Sequence, residues 1–478
     1  MIAGEPARQP RRRQPDAATA ARLDLLLPPD AVRRLRRAPG FRALGLHGGR
    51  ASARFVELWG LNAAGEAMVL RPGALSCGEG VVFGGMIGRR RRYVSRNVPG
   101  VALEITAGAF VAGGTGRFFC LTLAGPALAV AAAARALAED LPLALLPAPL
   151  PALAAHRALG VALPPPPDPI TGLDAATPLA LAARQILAAR GANLRAHLAA
   201  LARAPGPASA AHDPEPVHQT RVALRRLRAA IAVFAPLCAP LLVELRQSLR
   251  DFSHSLTPAR EWDVFMAGIG RDLALAFPDD PAPSQLLPLA IRRWHEAYAA
   301  LGAWRAGEGG RRLDVMLAIL PLLVMPPNDV AAGRDATDSD TIALSFGEFA
   351  RERLERRARK LRRVTTLAEL GPDQRHRLRL DAKRLRYLGE IFAPCFPPRR
   401  MARFLRRLAA LQEWLGTIND ATTTTRLVRG LTPDHARADD LAVAQGMALG
   451  LAAAGVPRAL RKAERARERL QALKPFWQ

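Results

Sequence analysis

The hydrophobic pattern changes character about a third of the way along the chain. Between residues 23 and 145 apolar residues come in short runs, ARFVELWGL, EAMVLRPG, ALEITAGAFVAGG and RFFCLTL, bounded by glycine turns. Short alternating runs closed by turn residues predict strands, and the following PALAVAAAARALAEDL predicts a helix. Beyond Asp168 the strand signal fades. Apolar residues then recur at three- and four-residue spacing through PLALAARQILAARGANLRAHLAALARA, PLLVELRQSLRDFSHSL, LLPLAIRRWHEAYAAL, FGEFARERLERRARKLRRV and PRRMARFLRRLAALQEWLGTI. This is the helical period. The expected organisation is a disordered basic tail over 1–20, a small α+β domain over 21–160 and a proline-rich linker over 161–170 containing LPPPPDP. An all-α domain over 171–478 follows, in halves of about 171–325 and 342–478, with the polar segment Pro326–Thr341 as the loop between them.

Two of the helical stretches repeat each other. VHQTRVALRRLRAAIAVFAP runs from Val217 to Pro236, and RHRLRLDAKRLRYLGEIFAP from Arg375 to Pro394. With each His as position zero, Arg follows at +3 (Arg221, Arg379) and a base at +7 (Arg225, Lys383). Further Arg residues follow at +8 (Arg226, Arg384) and +10 (Arg228, Arg386), and Phe-Ala-Pro closes both copies. A shared register of this kind points to internal duplication. At about 100° per residue, positions 0, +3, +7 and +10 fall within an arc of about 80°. Leu224, Leu227, Ile231 and Phe234, and likewise Leu378, Leu385 and Phe392, fall on the opposite side. Each copy therefore buries one face and aligns a His with cations on the other, an arrangement that costs stability through like-charge repulsion and suits a chain of phosphates.

The formal net charge of +26 over 478 residues strengthens that reading, because it favours polyanionic partners. Nearly all of it comes from Arg, with Lys only at Lys360, Lys383, Lys462 and Lys474. Cys77, Cys120, Cys238 and Cys395 are scattered with no metal-ligand spacing, so neither a disulfide framework nor a zinc site is expected. No secretory signal or membrane span is read, so a cytoplasmic location is expected. No helix-turn-helix, RRM or OB pattern is present and aromatic residues make up only 5%, so nucleic acid is not expected as the specific partner.

The H-x2-R-x3-[RK]-R-x-R helices resemble the signature of the CHAD domain, the conserved-histidine α-helical domain. Its second motif is echoed by SLTPAREWDVF, with Arg260, Glu261 and Asp263, and by LQEWLGTINDATT, with Gln412, Asn419 and Asp420. The resemblance covers about residues 170–475. It implies two four-helix bundles related by a pseudo-twofold axis, with the basic helices facing a shared cleft and inorganic polyphosphate as the ligand. Binding would fall on His218, Arg221, Arg225, Arg226 and Arg228, opposite His376, Arg379, Lys383, Arg384 and Arg386. No cofactor or metal is implied, and association with polyphosphate granules would follow.

Residues 21–160 resemble, more weakly, a degenerate CYTH or triphosphate tunnel domain, a β-barrel whose acidic strands hold a divalent metal. Aligned on LLPP, the first acidic run becomes Ala20, Arg22 and Asp24, and Cys120 and Thr122 stand on the late strand where Glu would be expected. Glu57 and Glu104 remain as acidic candidates, while Arg71 and the run Arg89–Arg92 read as solvated turns. An inactive scaffold is expected. The alternative is a triphosphate or polyphosphate hydrolase with a divergent tunnel site.

Overall fold

The computed structural model describes residues 21–48, 53–61, 67–70, 81–111, 117–146, 150, 153–154, 157, 172–238, 242–323, 344–364, 366–367, 369–432 and 438–477. The expected tail over 1–20, the linker over 161–170, the loop Pro326–Thr341 and Arg71 lie outside them. The chain divides into two compact units between Pro164 and Pro165.

The first unit is an antiparallel sheet. Its strands are β1 (Ala21–Leu26), β2 (Leu46–Gly48), β3 (Ala53–Leu61), β4 (Ala67–Leu70), β5 (Val81–Ser95), β6 (Ala102–Phe110), β7 (Arg117–Gly125) and β8 (Ala144–Leu145). They are ordered β4-β3-β5-β6-β7-β1-β8, with β2 also pairing β5. Among the described residues no ladder joins β4 to β8. Alternation along the strands sends Leu23, Leu25, Leu103, Leu121 and Leu123 to one fully covered face. Helix α3 (Ala127–Asp140), which follows the short helices α1 (Pro29–Arg34) and α2 (Pro39–Ala43), packs on β1 and β7 and buries Val130, Ala134 and Leu137. The corner from β7 into α3 needs Gly125. Its φ is +151°, and a Cβ there would lie 2.6 Å from the carbonyl oxygen of Gly100.

The second unit is all-α and carries one element order twice. A lead helix (α4, Leu179–Arg203) precedes the first basic helix (α5, Glu215–Phe234) and a long partner (α6, Leu242–Phe265). A π-helical turn at Met266–Gly270 and the short α7 (Arg271–Ala276) connect to α8 (Pro283–Ala306) and α9 (Glu308–Ile319). The second half runs α10 (Phe346–Arg362), the second basic helix α11 (Pro372–Ile391), the long α12 (Pro398–Arg429), then α13 (Ala438–Ala454) and α14 (Val456–Gln471). In both copies the Phe-Ala-Pro sequence ends the basic helix in a single 3₁₀ turn, Ala235–Leu237 and Ala393–Cys395. Proline has no N–H to continue the helical ladder.

What joins the halves is apolar. Phe234 and Phe392, the last residues of the two repeats, converge with Phe346 and Phe349 of α10. Ring centroids are 6.2 Å apart for Phe234–Phe349 and 5.4 Å for Phe346–Phe392, and all four rings are buried. Beside them the lead helices are tied at their starts: Phe346 N–H donates to Thr177 O and Gly347 N–H to Ala175 O, both at 2.9 Å. A Cβ on Gly347 would come within 2.8 Å of the Ala175 Cβ, so only glycine permits this approach.

One helical run, Asp439–Gln471, has the length and hydropathy of a membrane crossing. Its apolar part is the 17-residue α13, at the lower limit of what a bilayer core requires, and 17% of its apolar window is buried. α13 packs against α12 and α8 within the bundle, and α14 is densely charged.

Truncating the shared aromatic cluster should destabilise both halves together. Phe392→Ala is expected to cost about 3–5 kcal/mol in denaturant unfolding, and Phe392→Leu, which conserves most of the volume, markedly less.

Candidate functional site

The two basic helices face each other across a cleft of about 740 Å³ in the helical unit. From α5 the lining includes His218, Arg221, Arg225 and Arg228, and from α11 His376, Arg379, Lys383 and Arg384. The apolar faces that hold the helices in place are buried as the period requires: Leu224, Leu227, Ile231 and Phe234 on one, Leu378, Leu385 and Phe392 on the other. Thr220, fully buried, donates from Oγ1 to Pro216 O at 2.7 Å, so this polar residue in the second turn is satisfied by its own helix.

Two of the ten sequence-derived residues are used differently. Arg226 Nε donates to Glu390 Oε2 at 3.1 Å, and Arg386 Nε donates to Glu390 Oε1 at 3.0 Å. Neither Arg226 nor Arg386 lines the cleft. One carboxylate thus spans the two basic helices, taking the +8 arginine of the first copy and the +10 arginine of the second. Glu390 stands at +14, where the first copy has Ala232. That single difference breaks the symmetry of the repeat. As a result the cleft receives Arg228 from +10 of the first copy and Arg384 from +8 of the second.

The structure adds cations that the repeat did not mark. Along α6, Arg246, Arg250, Ser253, Thr257 and Arg260 succeed one another at alternating spacings of four and three, one stripe of the helix, and all line the cleft. That spacing was visible in LRQSLRDFSHSLTPAR. The corresponding stretch of α12 contributes Asn419, Asp420 and Thr423 and no cation. The cleft is therefore basic on three helices and neutral to acidic on the fourth. Its acids are Glu261 and Asp420, and Glu261 is already held by Arg426 Nη2 at 2.6 Å across the two halves.

Hydrogen bonds fix several of the cleft groups. Arg221 Nη1 donates to Thr257 Oγ1 at 2.8 Å, and Thr257 in turn donates to Ser253 O at 2.6 Å. His376 Nδ1 lies 3.2 Å from Asn419 Oδ1 and donates to it. By contrast the buried Nε atoms of Arg225 and Arg379 find no acceptor among the described residues. Buried donors of this kind are rarely left unmatched.

Crowding of like charge shows in the titration of the cleft. Burial, and then the neighbouring Arg379, Arg225 and Arg221, push the Lys383 ammonium down to about 7. Burial and Arg225 push Arg221 down to about 10, against the smaller opposing pull of Glu261. Burial and Arg260 hold His218 below the ordinary imidazole range, with Glu215 opposing. Arg379 is lowered chiefly by burial.

The second motif divides by role. Arg260 and Glu261 line the cleft, whereas Asp263 is buried and accepts from Trp294 Nε1 and Tyr298 Oη, both at 2.9 Å. Asp263 therefore anchors α8 to α6. Gln412 does similar work opposite, donating to Ala382 O at 2.8 Å and accepting from Arg386.

In the N-terminal sheet the residues aligned with the tunnel acids do share one face. Asp24 pairs in register with Thr122, and Thr122 with Glu104. Thr122 Oγ1 donates to Asp24 Oδ1 at 2.5 Å, with Cys120 Sγ 4.0 Å from the same hydroxyl. The run Arg89–Arg92 is a strand segment of β5, not a turn. The alternation of β5 puts Arg90 among the acids: its Nη2 lies 2.6 Å from Glu57 Oε1 and its Nε 3.6 Å from Glu104 Oε1. A four-residue run of one charge conceals the period of two, which is why the sequence alone reads as solvated. The two remaining glutamates are thus paired to a guanidinium.

Twin basic helices on one cleft, in a unit that repeats its helix order, define a duplicated helical domain with a basic cleft. The CHAD domain family matches residues 192–429, so the helical unit contains a CHAD domain. The solved CHAD domain from the plant Ricinus communis is similar at 26% identity, with a TM-score of 0.50, covering 63% of this chain and 94% of that one. PptA from Streptomyces chartreusis aligns at 17% identity and a TM-score of 0.43, covering 61% and 100%. No curated protein matches the chain.

Removing Glu390 should separate its structural role from binding. Glu390→Ala is expected to lower unfolding free energy by about 1–2 kcal/mol while leaving polyanion affinity unchanged or raised, since it frees two guanidiniums.

Proposed function

We propose that this protein is a non-catalytic binder of inorganic polyphosphate, held in the cleft between its two basic helices. The observation that carries the reading is the convergence of nine cationic side chains (Arg221, Arg225, Arg228, Arg246, Arg250, Arg260, Arg379, Lys383 and Arg384) against two acids, with buried guanidinium donors left unmatched. A polymer of bare phosphates carries charge at every unit and no base, so it supplies many acceptors in a narrow groove. Nucleic acid would call for aromatic stacking surfaces, and the aromatic residues of the cleft are Phe265, with a buried ring, and Tyr387. Such a binder would work in the cytoplasm, on polyphosphate granules.

The non-catalytic part of the reading rests on Arg90. Its guanidinium engages Glu57 and Glu104, the carboxylates that a tunnel hydrolase would direct at a metal. Incubation with tripolyphosphate and Mg²⁺ or Mn²⁺ is therefore expected to leave the substrate intact. Turnover lost on mutating Glu57 or Glu104 would overturn this.

Titration with polyphosphates of several lengths, beside DNA of matched charge, tests the binding directly. Affinity should fall steeply with salt as bound counterions are released. Arg221→Glu with Arg379→Glu should abolish binding with helix content unchanged, and either change alone should weaken it far less. Retention of binding by the double variant would remove the assignment of the site.

Affinity should also fall as pH rises from 6 to 9. Lys383 in the free protein loses its proton near 7, so above that pH the polyanion must recruit a proton to obtain the same contact. Lys383→Arg should flatten this dependence over pH 7–9.

A further inference from the structure

Lysine is rare in this chain, and its four occurrences differ in setting. Lys360 and Lys474 are exposed, and Lys462 Nζ sits 4.3 Å from the centroid of the Trp414 ring. Lys383 alone lines the cleft, at the repeat position that the first copy fills with Arg225. The two residue types are not equivalent there. Arginine stays charged, whereas a lysine that sheds its proton becomes a nucleophile.

Around Lys383 the cleft gathers the donors that a phosphoryl group would need. Arg379 lies one turn earlier on the same helix, Arg221 and Arg225 line the same cleft from the opposite helix, and the buried Nε atoms of Arg225 and Arg379 lack a protein acceptor. We propose that Lys383 is a site of covalent acylation by small acyl phosphates, whose phosphate docks on Arg221, Arg225 and Arg379 and presents the acyl carbon to Nζ. The proposal rests on the reading that the cleft takes phosphate, and extends it from a bound polymer to a reactive monomer.

The step balances without any oxidant or reductant. The Nζ lone pair attacks the carbonyl carbon, a C–N bond forms, and the C–O bond to phosphate breaks. Phosphate departs with the bonding electrons, and the amine proton passes to the departing phosphate or to water. The products are an N-acyl lysine and inorganic phosphate. The same guanidiniums that dock the reagent stabilise the charge on the leaving group. Burial, and then these guanidiniums, suppress the ammonium form of Lys383, to about 7, so that near neutral pH a large fraction carries a free amine. An ordinary lysine at about 10.4 presents well under about one part in a thousand. Acylation removes one charge from the cleft and fills part of it, so it opposes polyanion binding, and a bound polymer shields the amine in return.

The test uses the full-length protein, acetyl phosphate, and site-resolved mass spectrometry near neutral pH, with the other three lysines as internal controls. Lys383 should acetylate at least about tenfold faster than Lys360, Lys462 or Lys474. The Lys383-to-Lys360 ratio should be several-fold higher with acetyl phosphate than with a neutral acetylating ester that has no phosphate to dock. Excess inorganic phosphate or polyphosphate should lower the acetyl phosphate ratio. Equal ratios for the two reagents, or no preference for Lys383, would overturn the proposal. Polyphosphate titrated on the same preparation keeps the two readings apart. Binding without selective acetylation sinks the acylation alone, and selective acetylation without polymer binding sinks only the polyphosphate reading.

Discussion

Repulsion between two facing rows of like charge is the constraint around which the helical unit is organised. Left alone, α5 and α11 would separate, because each cation is destabilised by those opposite. The Lys383 ammonium, pushed down to about 7 by burial and then by Arg379, Arg225 and Arg221, carries part of that repulsion. Two devices oppose that repulsion. Beneath the cleft, Phe234 and Phe392 share one aromatic core with Phe346 and Phe349, so that burial of large apolar surface holds the helices at a fixed separation. At its edge, Glu390 binds one arginine from each basic helix. Between these supports the cations stay close with only Glu261 and Asp420 to offset them, and the cleft keeps an excess of positive charge.

Duplication explains both the economy and the flaw of this arrangement. A single amphipathic basic helix presents one row of charge, whereas two copies brought together through their own terminal phenylalanines present a groove. Perfect symmetry would give each half the same task, yet Glu390 has only Ala232 as its counterpart. The carboxylate consumes the +8 arginine on one side and the +10 arginine on the other. The halves diverge again along the long helices, where α6 adds Arg246, Arg250 and Arg260 and α12 adds Asn419, Asp420 and Thr423. An extended polyanion would accordingly lie nearer the first half than the second.

Much of this was legible before any coordinates. The helical period, the repeat register and the buried faces all follow from spacing, since one period of 3.6 governs both which side chains are covered and which align. The change from strands to helices was equally plain. What spacing could not give was partner choice. On a helical wheel Arg226 looks equivalent to Arg384, and Arg386 to Arg228, and only the position of Glu390 at the interface distinguishes them. The α6 stripe was missed for a different reason. Its cations are spread over fifteen residues among Leu, Ser and Phe, so charge density never drew attention to a spacing that is in fact regular. In the N-terminal sheet, Arg89–Arg92 hid its alternation because both faces of the strand carry the same residue type.

The sheet and the cleft dispose of positive charge in opposite ways. In β5, the Arg90 guanidinium is paired to Glu57 and Glu104 and stacks 3.9 Å from the centroid of the Phe55 ring, so its charge is matched by carboxylates although its buried Nε makes no hydrogen bond. In the cleft, the half-buried Arg225 and Arg379 also have a buried Nε without an acceptor among the described residues, and there nine cations face only two acids. Burial without a partner is costly, and a fold tolerates it where an outside group can supply what is missing. Matched arginine stabilises the protein that contains it. Unmatched arginine, held in place by four phenylalanines and one glutamate, leaves free energy available to whatever anion arrives.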